Sequence, residues 1–176
     1  GAYPLGFKQA SRREIDARAP RRHGATMEFT VDPPQFVTAP DGVRLAVYCA
    51  GAGPAVVLLH GFLSCSAKNW HAPGLMQAIV EAGFSVIAPD VRGHGKSDAP
   101  DDPALYPKDV LPADVEAVLS ALTVRDYALV GYSLGARTAG RLLARGAKPR
   151  RLVLAGMGDG IAFGVDARIR HFEDAI

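Results

Sequence analysis

Short apolar segments alternate with amphipathic segments along this 176-residue chain. The apolar segments have the length and composition of strands, and the spacing of apolar residues between several of them is helical. Predicted strands are Gln35–Thr38, Val43–Cys49, Ala55–Leu59, Phe84–Ala88, Tyr127–Val130 and Arg151–Ala155, and predicted helices cover 75–80, 111–122 and 133–145. Because parallel strands need a helical crossover to return to the same sheet, this alternation predicts an α/β fold with a mainly parallel, doubly wound sheet.

The first two predicted strands depart from this pattern. They are joined by Ala39-Pro40-Asp41-Gly42, and an Asp-Gly pair favours a tight hairpin turn. An antiparallel N-terminal hairpin is therefore expected at one edge of the sheet. By contrast, Ala55–Leu59 is apolar without interruption, which is typical of a strand buried on both faces.

Residues 1–30 are predicted to be a mobile, Arg-rich N-terminal extension. They show no sustained apolar period, and residues 1–26 hold six basic side chains against two acidic ones. Ser11-Arg12-Arg13-Glu14 fits a capping box and would allow one short helix there. The folded core is expected to cover residues 31–176, with residues 160–176 as the start of a cap or helical insertion.

Composition limits the classes of function. The net charge is +2, but the basic excess lies in the N-terminal extension, so the core should offer no basic surface to nucleic acid. No apolar run approaches the roughly 20 residues of a membrane span, and the N-terminus lacks the apolar segment of a signal peptide. Two cysteines, Cys49 and Cys65, do not form a disulfide framework. A soluble, cytoplasmic protein is expected.

No pattern in the sequence indicates a metal or cofactor site. The spacing of the five histidines does not match a metal site, and the two cysteines are not a C-x-x-C pair. Gly51-Ala52-Gly53 lacks the third glycine and the helix start of a dinucleotide fingerprint. We therefore expect neither a metal nor a cofactor.

Gly131-Tyr132-Ser133-Leu134-Gly135 stands between a predicted strand and a predicted helix. A serine on so sharp a turn is expected in a strained conformation, and side chains at positions 131 and 135 would collide with neighbouring backbone. The turn would present the Ser133 hydroxyl at the head of a helix, where the dipole favours developing negative charge. We interpret Ser133 as a catalytic nucleophile.

A serine nucleophile requires two N–H donors directed at one developing oxyanion, each worth about 3–4 kcal/mol of the barrier. The Leu134 N–H, directly after the nucleophile, is one candidate. The Phe62 N–H is the other, in the loop that His60-Gly61 opens after a buried strand. For the His60 imidazole itself, structural packing is the favoured interpretation.

Four segments in this order resemble the α/β-hydrolase fold superfamily: Leu58–Phe62, then Trp70, then Val86–Ser97, then Gly131–Gly135. The resemblance covers about residues 35–160. It implies that Ser133 is the nucleophile, that Phe62 and Leu134 donate the oxyanion hydrogen bonds, and that 90–97 is a structural loop beside the site. His94 in that loop is therefore not expected to be the general base. Trp70 could line a pocket entrance or pack internally.

The superfamily orders its triad as nucleophile, acid and histidine, and this chain departs from that pattern. Six of the usual eight strands are predicted. After Ser133 the candidates are Asp159, Asp166, His171, Glu173 and Asp174. Asp159 follows the last predicted strand, where some members place the acid, whereas His171 is typical of a surface residue on a polar helix. We expect the acid and base to lie beyond Ile176, in a larger hydrolase of which this chain is the N-terminal part.

The resemblance implies a serine hydrolase acting on a small carboxylic ester or related acyl substrate. Superfamily members with the same serine also include C–C bond hydrolases, lactonases and cofactor-free haloperoxidases. Dehalogenases and epoxide hydrolases mostly use Asp at this turn, so Ser133 argues against both. The alternative is a catalytically silent fragment, or a ligand-binding or interaction module that keeps the fold. An uncovered strand edge at Arg151–Ala155 would favour self-association.

Overall fold

The computed structural model describes Phe29 and residues 31–157. Apart from Phe29, the predicted N-terminal extension with its short helix lies outside the described residues. The same holds for the predicted cap or helical insertion at 160–176 and for the triad candidates Asp159, Asp166, His171, Glu173 and Asp174.

Strands and helices alternate as predicted. The strands are β1 (Gln35–Thr38), β2 (Arg44–Ala50), β3 (Ala55–Leu59), β4 (Ser85–Pro89), β5 (Tyr127–Tyr132) and β6 (Arg151–Ala155), and the helices are α1 (Leu75–Glu81), α2 (Val110–Ala121) and α3 (Leu134–Ala144). Two short elements were not predicted, a π-helical turn at Ala67–His71 and a 3-10 helix at Pro103–Leu105.

The strands described form one sheet in the order β1-β2-β4-β3-β5-β6. β3 pairs in parallel with β4 and β5, and β5 pairs in parallel with β6, whereas β2 is antiparallel to both β1 and β4. The Ala39 N–H donates to the Val43 carbonyl at 2.8 Å and closes the hairpin turn. A parallel sheet with an antiparallel N-terminal hairpin is thus confirmed.

Helices cover both faces of the sheet. Alternate residues of β3 separate the two cores, because successive side chains of a strand point to opposite faces. Val57 and Leu59 pack with residues of α2 and α3, while Val56 and Leu58 pack with Met76 of α1. Trp70 is only 6% exposed and belongs to this second core, so it packs internally.

Among the strands that the structure describes, β6 lies at one edge of the sheet, and its side chains are partly exposed. Leu152, Val153 and Leu154 are 37%, 53% and 37% exposed. Self-association through this edge stays a prediction. In the described part of the chain, no helix is long and apolar enough to cross a membrane.

Candidate active site

Ser133 occupies the turn from β5 into α3, at the carboxyl end of the strand. Its backbone has φ 51° and ψ −110°, a conformation that costs a non-glycine residue about 1–3 kcal/mol. The turn is held from both sides, because the Ser133 N–H donates to the Ala155 carbonyl at 2.8 Å and the Ser133 carbonyl accepts from the Arg137 N–H at 3.0 Å. The predicted strained turn is confirmed.

Gly131 and Gly135 are required by close backbone approach. A Cβ on Gly131 would lie 2.4 Å from the Gly135 carbonyl oxygen, and a Cβ on Gly135 would lie 2.0 Å from the Leu59 carbonyl oxygen. Both distances are far below van der Waals contact, so any side chain would force the backbone apart. The contact at Gly135 seats the start of α3 against the end of β3.

This packing brings the loop after β3 beside Ser133. We call residues His60–Leu63 the oxyanion loop, after the oxyanion donor that the sequence predicts there. A Cβ built on Gly61 would lie 3.5 Å from the Ser133 Cβ, so a side chain at position 61 would contact the serine. Within residues 31–157 neither the Phe62 N–H nor the Leu134 N–H has an acceptor. Ser133, Phe62 and Leu134 thus all lie at the carboxyl end of the parallel strands.

His60 has a structural position, as predicted. Its Nε2 accepts from the Val91 N–H at 3.0 Å, so the proton must sit on Nδ1, which donates to the Gly61 carbonyl at 2.8 Å. The ring is fully buried. Burial lowers the pKa of His60, which keeps the imidazole neutral. Both ring nitrogens are engaged, and neither can serve as a base.

His94 is held in a similar way, beside the oxyanion loop. Its Nε2 accepts from the Leu63 N–H at 3.2 Å and its Nδ1 lies 3.0 Å from the Arg92 carbonyl.

The part of the chain that the structure describes offers no hydrogen-bond partner to the Ser133 hydroxyl. The third histidine of that range, His71, is exposed and packs at 6.0 Å from the Phe29 ring.

Asp90 shapes the loop after β4. It is 1% exposed. Its Oδ1 accepts from the Ser66 N–H at 2.7 Å, and its Oδ2 accepts from the Lys96 N–H at 2.9 Å. A Cβ on Gly95 would lie 2.0 Å from Oδ2, so only glycine fits there. This carboxylate holds two loops together at the site and accepts no bond from Ser133.

Arg92 anchors the same loop to the body of the protein. Its buried guanidinium forms a two-pronged pair with Asp114 of α2, with Nε–Oδ2 at 3.0 Å and Nη2–Oδ1 at 2.7 Å, and Nη1 also contacts Asp41. Burial alone would lower the pKa of Arg92, but the hydrogen bonds with the two carboxylates outweigh it and raise that pKa.

Asn69 was not identified from the sequence. It lies on the π-helical turn, and its Oδ1 accepts from the Gly61 N–H at 2.8 Å. A lone asparagine in a segment without apolar periodicity gives no signal of such a contact. Across Phe29 and residues 31–157, no group of three or more His, Cys, Asp or Glu side chains is arranged to hold a metal ion.

Known proteins share this architecture. The profile of the alpha/beta hydrolase fold family matches residues 54–167, more than half of the chain. An epoxide hydrolase from Caballeronia sordidicola is 40% identical over 111 residues, which make up 63% of this chain and 33% of that protein. The chain therefore spans a minor part of the length of this curated relative.

Two solved structures illustrate the likeness in three dimensions. An esterase from Exiguobacterium antarcticum matches with a TM-score of 0.63 and 28% identity, over 80% of this chain and 56% of that chain. Epoxide Hydrolase A from Mycobacterium thermoresistibile matches with a TM-score of 0.62 and 31% identity, over 71% and 39% respectively. With the strained serine turn between β5 and α3 and the family profile over residues 54–167, the chain belongs to the alpha/beta hydrolase fold family.

Proposed function

We propose that this chain is the nucleophile-bearing part of a serine hydrolase that acts on a carboxylic ester or related acyl substrate. The observation that carries the proposal is the strained Ser133 turn at the head of α3. At the same end of the sheet lie the N–H groups of Phe62 and Leu134, for which residues 31–157 offer no acceptor. Relatives named as epoxide hydrolases and an esterase support hydrolysis of a small molecule.

The chemistry of serine favours an acyl substrate over an epoxide. Attack of the Ser133 oxygen on an epoxide carbon would open the ring and leave an ether, which water does not cleave under mild conditions. Attack on an ester carbonyl instead leaves an acyl-serine, which water can hydrolyse. The residue at the turn thus separates the two substrate classes suggested by the names of the relatives.

In the proposed reaction, the Ser133 oxygen forms a bond to the acyl carbon as its proton passes to a base. The carbonyl electron pair moves onto oxygen, where the Phe62 and Leu134 N–H groups stabilise it by about 3–4 kcal/mol each. Collapse of this intermediate expels the alcohol, which takes the proton from the base. Water then attacks the acyl-serine by the same path, releasing the carboxylic acid and restoring the Ser133 hydroxyl.

The base in this scheme comes from outside residues 31–157. His60 and His94 each have both ring nitrogens in contact with backbone groups, so neither can accept the serine proton. On sequence order Asp159 is a candidate for the acid of the triad, and the base is expected beyond Ile176. The full-length protein that carries this chain is therefore the material for the assays.

A paired substrate assay tests the proposal. Initial rates are measured with p-nitrophenyl butyrate and with styrene oxide, for the unmodified protein, Ser133→Ala and the control Ser120→Ala. Ser120 is exposed near the end of α2. Ester hydrolysis should exceed epoxide hydrolysis and fall at least about a thousandfold in Ser133→Ala, with Ser120→Ala unaffected. Epoxide turnover that exceeds ester turnover, or ester turnover that survives Ser133→Ala, would overturn it.

A further inference from the structure

Three successive backbone N–H groups of the oxyanion loop differ in whether the surrounding protein offers them a hydrogen-bond acceptor. The Gly61 N–H donates to Asn69 Oδ1 at 2.8 Å, and the Leu63 N–H donates to His94 Nε2 at 3.2 Å. The Phe62 N–H between them has no acceptor in the part of the chain that the structure describes. Side chains from two separate segments therefore hold the loop on either side of one unengaged donor.

We propose that Asn69 and His94 form an oxyanion clamp, a pair of positioning residues that hold the Phe62 N–H in place for the developing oxyanion. This inference rests on the proposed function. Neither side chain contacts the reacting atoms in this role. Each acts through the backbone of the oxyanion loop.

Backbone strain explains why the loop needs to be held. Leu63 has φ 54° and is 79% exposed, a left-handed conformation that costs a leucine about 1–2 kcal/mol. A Leu63 side chain as exposed as this makes too few apolar contacts to fix the backbone conformation. The hydrogen bond from the Leu63 N–H to His94 therefore supplies a restraint at the strained residue, and Asn69 supplies the second restraint two residues earlier.

Both clamp residues are themselves oriented by rigid neighbours. The His94 Nδ1 contacts the Arg92 carbonyl, and the Arg92 guanidinium is buried against Asp114. The His94 ring also lies 5.6 Å from the Phe62 ring, in an edge-to-face arrangement. Asn69 belongs to a π-helical turn, a distortion often found at functional sites. Its N–H donates to the Cys65 carbonyl at 2.9 Å.

If Asn69 and His94 only stabilised the fold, replacing them would lower the free energy of unfolding but would not lower kcat selectively over KM. A misplaced oxyanion donor acts mainly in the transition state, so it lowers kcat and leaves KM nearly unchanged. It also weakens binding of a trifluoromethyl ketone, which forms a tetrahedral adduct with the serine, more than binding of the substrate. These two readouts separate the clamp from simple stabilisation.

The experiment compares Asn69→Leu, His94→Phe and His94→Gln in the full-length protein. Asn69→Leu and His94→Phe remove the acceptor, and the phenyl ring keeps the contact with Phe62. His94→Gln keeps an oxygen that can accept from the Leu63 N–H. Gln77→Leu is the matched control, because it removes the side-chain amide that donates to Glu81 at 2.8 Å on α1. Urea unfolding establishes which variants are folded.

Each acceptor-deleting variant should lose about 10- to 100-fold in kcat, with KM nearly constant and a selective loss of affinity for the ketone. His94→Gln should recover most of the loss, and Gln77→Leu should match the unmodified protein. Should Asn69→Leu fail to fold, His94→Phe and His94→Gln decide the outcome. Unchanged kcat in a folded acceptor-deleting variant would overturn the clamp while the proposed function stands. Absence of Ser133-dependent ester hydrolysis in the unmodified protein would overturn both.

Discussion

The Nε2 atom of His60 accepts a hydrogen bond from the Val91 N–H at 3.0 Å, joining the loop after β3 to the loop after β4. The imidazole is fully buried and neutral, and its other nitrogen donates to the Gly61 carbonyl. One side chain thus fixes the start of the oxyanion loop relative to the neighbouring strand. His60, for which the sequence favoured structural packing, is thus a structural link beside Ser133.

Because burial lowers the pKa of His60, the protein should lose stability in mild acid. The unfolded histidine, with a pKa of about 6.5, binds a proton that the folded one does not. The contribution of His60 is therefore fully present above about pH 6.5 and declines as pH falls from there toward the folded pKa, by up to about 1.4 kcal/mol per pH unit.

Urea unfolding from pH 7.5 to pH 5 measures this decline. His60→Gln keeps an oxygen able to accept from the Val91 N–H but does not titrate, so its free energy of unfolding should fall less steeply with decreasing pH. His71→Gln, at an exposed histidine, should keep the steeper slope. Equal slopes for His60→Gln and the unmodified protein would show that His60 is not the source.

Gly135→Ala should destabilise the protein more than Gly83→Ala. A Cβ on Gly135 would lie 2.0 Å from the Leu59 carbonyl oxygen, whereas a Cβ on Gly83 would meet no atom within 4 Å. Gly83 has φ +85°, so its substitution costs only the left-handed strain of about 1–2 kcal/mol. Chemical denaturation of both variants checks the order. Equal losses of stability would mean that the start of α3 can move away from β3 freely.

Asp114→Ala should cost about 3–5 kcal/mol of stability, because it leaves the buried Arg92 guanidinium without its two-pronged partner. The side chains of this pair are 1% and 7% exposed. Glu116→Ala on the same helix removes a surface pair with Arg145, whose side chains are 41% and 39% exposed, and should change stability little. Denaturant midpoints compare the two variants. A similar small effect of both would show that Arg92 finds another partner.

Much of the fold could be predicted because it follows from local pattern. The bounds of β1, β3 and β6 agree with the sequence prediction, since each is a short run flanked by clear turn or breaker residues. The turn at Ser133 was predictable for a steric reason: glycine at 131 and 135 indicates close backbone approach, and the distances confirm it.

The remaining features depend on contacts that sequence spacing does not reveal. The π-helical turn at Ala67–His71 is too short to show an apolar period, and Asn69 on it contacts Gly61 only through the folded loop. The loop of Asp90 and the pair of Arg92 with Asp114 join residues far apart in the chain. Such polar contacts could not have been predicted from hydrophobic pattern alone.

Covalent labelling of the full-length protein with a fluorophosphonate tests whether Ser133 is the nucleophile, because the reagent reacts with activated serines. Peptide mass spectrometry locates the adduct, and Ser133→Ala and Ser120→Ala are labelled in parallel. We expect a single adduct on Ser133, absent from Ser133→Ala and retained in Ser120→Ala. A folded protein that takes up no label, or that carries the label on another residue, would contradict the assignment of Ser133 as the nucleophile.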